Sequence, residues 1–249
     1  MADPLRLYGL KALVTSGGGG IGEAVARTLV KHGAEVLAVD SANSGVEQTF
    51  ASVKGVQGHV ADLRDPGAMA RLVDDAVKRI GRVDILVNEF PLHPDAPLEA
   101  VDDQFTQLVQ TRAELTTALC RAVLPELKKS PAGRIINIGF LRSCFAAGAV
   151  EIATRAQQDL AALTRALAAD CGDFGITANY VQPGAIMTPQ SREVFRKDKE
   201  LRDFCIANSA AKRVGEPVDV AKVVLFLASD DAMFVSGTGV WVDGGRIAD

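Results

Sequence analysis

Short apolar runs alternate with longer amphipathic stretches along the whole chain. Lys11-Ala-Leu-Val-Thr15, Glu35-Val-Leu-Ala-Val39, Val56 to His59, Asp84-Ile-Leu-Val-Asn88, Arg134-Ile-Ile-Asn-Ile138, Ile176 to Val181 and Gly239-Val-Trp-Val-Asp243 read as seven strands. Each is nearly continuous in apolar residues rather than alternating. That is the pattern of a parallel sheet covered on both faces by helices. Helical periodicity fills the gaps at about Ile21 to His32, closed by Gly33, and at Pro66 to Ile80, Asp103 to Lys128 and Val150 to Gly172. Strand–helix–strand units connect right-handedly, so the pattern predicts an α/β fold with a doubly wound, seven-stranded, mostly parallel sheet. No repeat, linker or low-complexity stretch interrupts residues 1–249, which read as one Rossmann-type domain.

Composition narrows the partners. Hydrophobic residues make up 48% and charged residues 23%, the balance of a soluble domain. The net charge of −4, with no Lys/Arg run and 5% aromatics, argues against a nucleic-acid partner. No apolar stretch is long enough to span a membrane. The start, Met1-Ala-Asp-Pro-Leu-Arg-Leu-Tyr8, has no apolar signal core, so the chain reads as cytoplasmic. Cys120, Cys144, Cys171 and Cys205 are too scattered for a paired-cysteine motif and read as small core residues. His32, His59 and His93 show no metal-ligand spacing, so no metal is expected.

Ligands of such sheets bind outside the carboxyl ends of the strands. There, Thr15-Ser-Gly-Gly-Gly-Gly-Ile-Gly22 joins the first strand to the first helix. Thr15, Ser16, Gly17, Gly20, Ile21 and Gly22 are the candidate phosphate-binding residues. Glycines let the backbone approach a pyrophosphate, and the helix amino terminus offers N–H groups to it. The same residues would also serve as a merely tight turn. Asp40 ends the second strand, 18 positions after Gly22. A carboxylate there accepts hydrogen bonds from an adenosine ribose and repels a 2′-phosphate, which favours NAD(H) over NADP(H). It would equally be an ordinary polar strand end.

These residues resemble the short-chain dehydrogenase/reductase family over nearly the whole chain. The glycine turn is similar to the family's T-G-x-x-x-G-I-G, with Ser16 in place of the first glycine. Asp84-Ile-Leu-Val-Asn88 leads into the position of its N-N-A-G motif, which falls on Asn88-Glu-Phe-Pro91. Leu163-Thr-Arg-Ala-Leu-Ala168, Gly175-Ile-Thr-Ala-Asn179, Pro183-Gly184 and Val242-Asp-Gly-Gly245 match later segments. The resemblance implies NAD(H) as cofactor, framed also by Val60, Asn88, Pro183, Gly184, Ile186 and Thr188. It places the family's adenine-contacting aspartate on His59. It implies a homo-oligomer, dimer or tetramer, built on the helices near 103–128 and 150–172, where Ala161, Ala162, Ala166, Ala168 and Ala169 suit close packing. Residues 187–213 would form a substrate lid.

At the chemistry, the resemblance implies a replaced tetrad. The family's Asn, Ser, Tyr and Lys positions fall on Arg112, Phe140, Ala153 and Gln157. Ala153 has no phenol, Phe140 no hydroxyl, and Gln157 no charge. General acid–base catalysis contributes about 10²–10⁴-fold, and these side chains cannot supply it. Ser143 and Glu151 are candidate substitutes. Arg112 would pair with Glu151 or hold an anionic ligand, unless these are solvated or interface residues. Glu89, Phe90 and Pro91 bring charge and bulk to a diphosphate site that is small and neutral in the family. Three functions are therefore open. The chain is an NAD(H)-type oxidoreductase by descent with absent or altered catalysis, a non-redox enzyme or small-molecule-binding module reusing the cleft, or an inactive subunit paired with an active relative.

Overall fold

The computed structural model describes residues 7–65, 67–90, 103–139 and 150–245. Its strands are β1 (Lys11–Thr15), β2 (Glu35–Asp40), β3 (Val56–Val60), β4 (Ile85–Asn88), β5 (Arg134–Ile138), β6 (Thr177–Pro183) and β7 (Gly239–Val242). They form one sheet in the order β3-β2-β1-β4-β5-β6-β7, and every pairing is parallel. This is the doubly wound fold that the alternating pattern predicts.

Side chains of a strand alternate between the two faces, so a strand covered on both sides must be apolar at every position. The two cores show this directly. Ala12, Val14, Val36, Ala38, Ile85, Val87 and Ile136 enter one core, with Ile21, Val25 and Leu29 of α1 (Gly20–Lys31) and Val220, Val224 and Leu227 of α8 (Pro217–Ala228). Leu13, Leu37, Val39, Leu86 and Ile135 enter the other. There they meet Leu72 of α3 (Ala68–Ile80), Leu119 and Val123 of α4 (Asp103–Leu127), and Leu167 of α5 (Val150–Cys171).

Three differences from the sequence pattern bear on the site. β6 runs on to Pro183, so Pro183 and Gly184 sit at the carboxyl rim itself. β3 runs to Val60, so His59 lies inside the strand, paired in register with Val39, and its Nε2 is 3.3 Å from Asp75 Oδ2 on α3. The first carboxylate past that strand is Asp62, not position 59. The third difference is four helices that periodicity did not delimit: α2 (Val46–Phe50), α6 (Pro189–Lys197), α7 (Lys199–Ala207) and α8.

Polar groups at the sheet's amino rim are structural. Asp84, fully buried, accepts from the Lys11 amide at 2.8 Å, from Arg82 Nε at 2.8 Å and from the Ser130 hydroxyl at 2.6 Å. One carboxylate thereby ties β1 to the segments before β4 and after α4.

Candidate functional site

Strand order reverses between β1 and β4, because successive connections run outward from β1 in one direction and from β4 in the other. The crevice at their carboxyl ends is where a doubly wound sheet binds its ligand. Two segments meet there, the glycine turn after β1 and Glu89 after β4.

The two are clamped together. The Thr15 hydroxyl accepts the Glu89 amide at 2.8 Å and donates to the Glu89 carbonyl at 2.6 Å. The Ser16 hydroxyl donates to the same carbonyl at 2.9 Å. Ser16 has φ 54°, in the left-handed region that favours glycine. That explains why the resembling turn carries glycine there, and the hydroxyl's bond to Glu89 offsets the strain. Gly22 is required by contact. A methyl group on it would lie 2.2 Å from the Ser16 carbonyl oxygen, so α1 can leave the strand at this angle only without a side chain.

The amino terminus of α1 has no local cap, since Gly19 offers no side chain. Its first-turn N–H groups therefore need an outside acceptor. The Glu89 carboxylate lies near enough to the Gly22 amide for that N–H to favour its charged form. Glu89 is 6% exposed, and its Oε2 has no hydrogen-bond partner. Burial weakens it as an acid, pushing its pKa up from 4.5 to about 8. The positive charge of Arg112 opposes that rise, and the negative charge of Asp40 adds to it.

Asp40 ends β2. Its Oδ2 accepts the Gly18 amide at 2.9 Å and its Oδ1 the Ser41 amide at 2.7 Å. The carboxylate is thus held against the glycine turn, half-exposed at the rim. Val60 stands beside it in register and is exposed. On the far side of the crevice lie Pro183, Gly184, Ile186 and Thr188. Thr188 caps α6, accepting the Ser191 amide at 3.1 Å, and its side chain faces Gly20. Thr15 to Gly22, Asp40, Val60, Pro183, Gly184, Ile186 and Thr188 are thus gathered along one rim. Asn88 differs: its amide turns inward to the Thr116 carbonyl at 3.0 Å and serves as a strut between β4 and α4.

Among the residues that the resemblance sets at the tetrad positions, Arg112 is best defined. It is buried on α4, and its Nη2 donates to the Ile138 carbonyl at the end of β5 at 2.5 Å. Sequence reasoning set Arg112 against Glu151. The Glu151 side chain lies outside the described residues, and the carboxylate that Arg112 acts on electrostatically is Glu89. Gln157 is half-buried on α5, one turn from Ala153. Ala153 and Glu151 also lie on α5, but their side chains fall outside the described residues, as do Phe140, Ser143 and Cys144 entirely. Neither tyrosine stands at this rim. Tyr8 precedes β1, and the ring of Tyr180 lies within β6 directly over Gly239, where no side chain would fit.

Cys120 is buried beside Asn88 and Asn137, and burial pushes its thiol up to about 12, so it is a core residue and no nucleophile. Among the described residues, no three of His, Cys, Asp or Glu are arranged to hold a metal ion. No described helix is long and apolar enough to cross a membrane.

A family model described as Enoyl-(Acyl carrier protein) reductase matches residues 17–246. The chain belongs to the short-chain dehydrogenase/reductase family. Relatives in this oxidoreductase family include 3-oxoacyl-acyl-carrier-protein reductase FabG of Pseudomonas aeruginosa. It is 34% identical over 246 residues, covering 97% of this chain and 98% of that protein. L-fucose dehydrogenase of Mus musculus is 33% identical over 253 residues, covering 98% and 91%. Among solved structures of the family, a protein from Beutenbergia cavernae described as an NAD(P)-dependent gluconate 5-dehydrogenase, with bound NADP, superposes with a TM-score of 0.85. It is 30% identical and covers 99% of this chain and 100% of that one. A protein from Agrobacterium tumefaciens described as a gluconate dehydrogenase gives 0.84 at 28% identity over the full length of both chains. A nicotinamide dinucleotide is thus named for one of these two solved neighbours.

Proposed function

We propose that this protein is an NAD(H)-type short-chain dehydrogenase/reductase by descent that binds the dinucleotide but has lost or altered its hydride-transfer chemistry. One observation carries the reading. The rim pairs a kept nucleotide frame with a tetrad position occupied by Arg112, fixed on the Ile138 carbonyl.

The residues fit a dinucleotide in two respects. Asp40 is held at the end of β2 with its carboxylate at the rim, where it accepts ribose hydroxyls and disfavours a 2′-phosphate. The glycine turn is open at Gly19, where a methyl group would meet nothing within 4 Å. Thr15 to Gly22 and Asp40 would hold the adenosine half, with Val60 beside it. Pro183, Gly184, Ile186 and Thr188 would frame the nicotinamide half. A bound nicotinamide would supply the hydride. What the chain does not offer is a proton for the acceptor oxygen, because Arg112, Phe140, Ala153 and Gln157 stand where the family's Asn, Ser, Tyr and Lys stand.

The test has two parts. Calorimetric titration should show NADH binding more tightly than NADPH, and the unaltered protein should give no NADH-linked ketone reduction. Phe140→Ser with Ala153→Tyr and Gln157→Lys should then create that activity. Absence of binding at millimolar NADH counts against the cofactor reading, and brisk ketone turnover by the unaltered protein counts against lost chemistry.

We also propose a homo-oligomer formed through α4 and α5. Ala162, Ala166 and Ala169 of α5 share one helix face and are exposed, which suits close helix packing. Ala166→Glu should shift the mass measured by light scattering toward the monomer, and an unchanged mass would exclude that face.

A further inference from the structure

The amino terminus of α1, the family's place for a diphosphate, already has a buried carboxylate of the chain beside it. Glu89 reaches it from the end of β4. Its backbone is fixed by the Thr15 and Ser16 hydroxyls, and its carboxylate lies near the Gly22 amide. The second carboxylate oxygen, buried at the same point, has no partner. A charged carboxylate and a diphosphate cannot share these N–H groups without strong like-charge repulsion at low dielectric. A protonated carboxyl has no such conflict, and it becomes a hydrogen-bond donor that can face a phosphate oxygen.

We propose that Glu89 is a proton-linked determinant of ligand choice in this cleft: the anionic diphosphate of a dinucleotide binds to the form in which Glu89 carries its proton, and deprotonation closes the cradle to it. This rests on the dinucleotide reading above. Three groups set the balance. Arg112, on α4, favours the charged carboxylate. Asp40, at the end of β2, favours the neutral acid. The Gly22 amide, on α1, favours the charged form. Burial is larger than any of them, so the proton is held into the neutral range, where a modest change of pH switches the site. An ordinary small neutral residue at this position would leave the cradle open at every pH.

The experiment titrates NADH into the whole protein at pH 7 and pH 9, by calorimetry in two buffers of different ionisation enthalpy, with adenosine as the phosphate-free control. With Glu89 titrating near 8, NADH affinity should fall about tenfold between the two pH values, and binding near pH 8 should take up about half a proton. Adenosine should show neither effect. Glu89→Gln should bind NADH at pH 9 as well as at pH 7. Equal NADH affinity at both pH values with no proton uptake overturns the proposal and leaves the dinucleotide reading standing. The same pH dependence for adenosine also overturns it, by placing the effect away from the diphosphate. NADH binding to neither protein at either pH removes the dinucleotide reading and the proposal with it. Binding by Glu89→Gln alone supports both. The proton count on the unaltered protein needs no variant, so it decides the matter even if Glu89→Gln folds poorly.

Discussion

Glu89→Gln makes a prediction about stability that needs no ligand. The unfolded carboxyl releases its proton near 4.5, whereas the folded one holds it to about 8. Between these values the folded state binds more protons than the unfolded state, so stability falls as the pH rises and levels off above the upper value. Over the whole interval the loss is about 5 kcal/mol, and between pH 6 and pH 9 it is about 3 kcal/mol. Glutamine keeps the shape and cannot ionise. The variant should therefore gain about 3 kcal/mol on the unaltered protein on passing from pH 6 to pH 9, or about 6–12 °C in Tm for a domain of this size. Urea unfolding of both proteins at both pH values measures this as a difference of differences, in which every other titrating group cancels. If the gap between variant and unaltered protein is the same at pH 6 and pH 9 within about 0.5 kcal/mol, well below the value expected from linkage, Glu89 does not hold its proton and the description of the cradle is wrong.

Three more predictions follow from other parts of the molecule. Asp40→Ala should improve NADPH binding relative to NADH by about tenfold or more in parallel titrations, since it removes the charge that repels a 2′-phosphate. Asp84→Ala should cost about 3 kcal/mol in urea unfolding, because it strands Arg82 and leaves the Lys11 amide and the Ser130 hydroxyl unpaired, with Arg82's partial exposure keeping the loss at the low end of the range for broken buried pairs. Ser16→Gly should stay within about 1 kcal/mol of the unaltered protein, trading strain relief against a lost hydrogen bond, whereas Ser16→Ala should lose about 1–2 kcal/mol because it keeps the strain and loses the bond.

The strands were legible because burial on both faces leaves a plain mark. Leu13 and Val14 point to opposite cores, and both must be apolar. α8 was not legible for the same reason. Val220, Val224, Leu225 and Leu227 are all buried, so Pro217 to Ala228 is apolar nearly all round and shows little helical period. β3 outruns its expected end at His59 by one residue because a strand end is a hydrogen-bonding event, and Val60 still pairs with Asp40. The glycine turn and Asp40 could be read from spacing alone. The meeting of Glu89 with the Gly22 amide and Arg112 could not, since it joins residues far apart in the chain whose juxtaposition exists only once β1 and β4 lie side by side. The signal was nonetheless present as an acidic residue where the family keeps small neutral ones.

The Asp84 cluster has a practical consequence for anyone wishing to give this scaffold a new activity. Its charged staple sits at the rim of the sheet opposite to the crevice, at the amino ends of strands whose carboxyl ends line it. Exposed loop positions on the ligand side, such as 41–43, can therefore be varied in a library while that anchor goes on holding β1 to its neighbours. Such a library should lose fewer members to misfolding than one that spreads its changes over both rims.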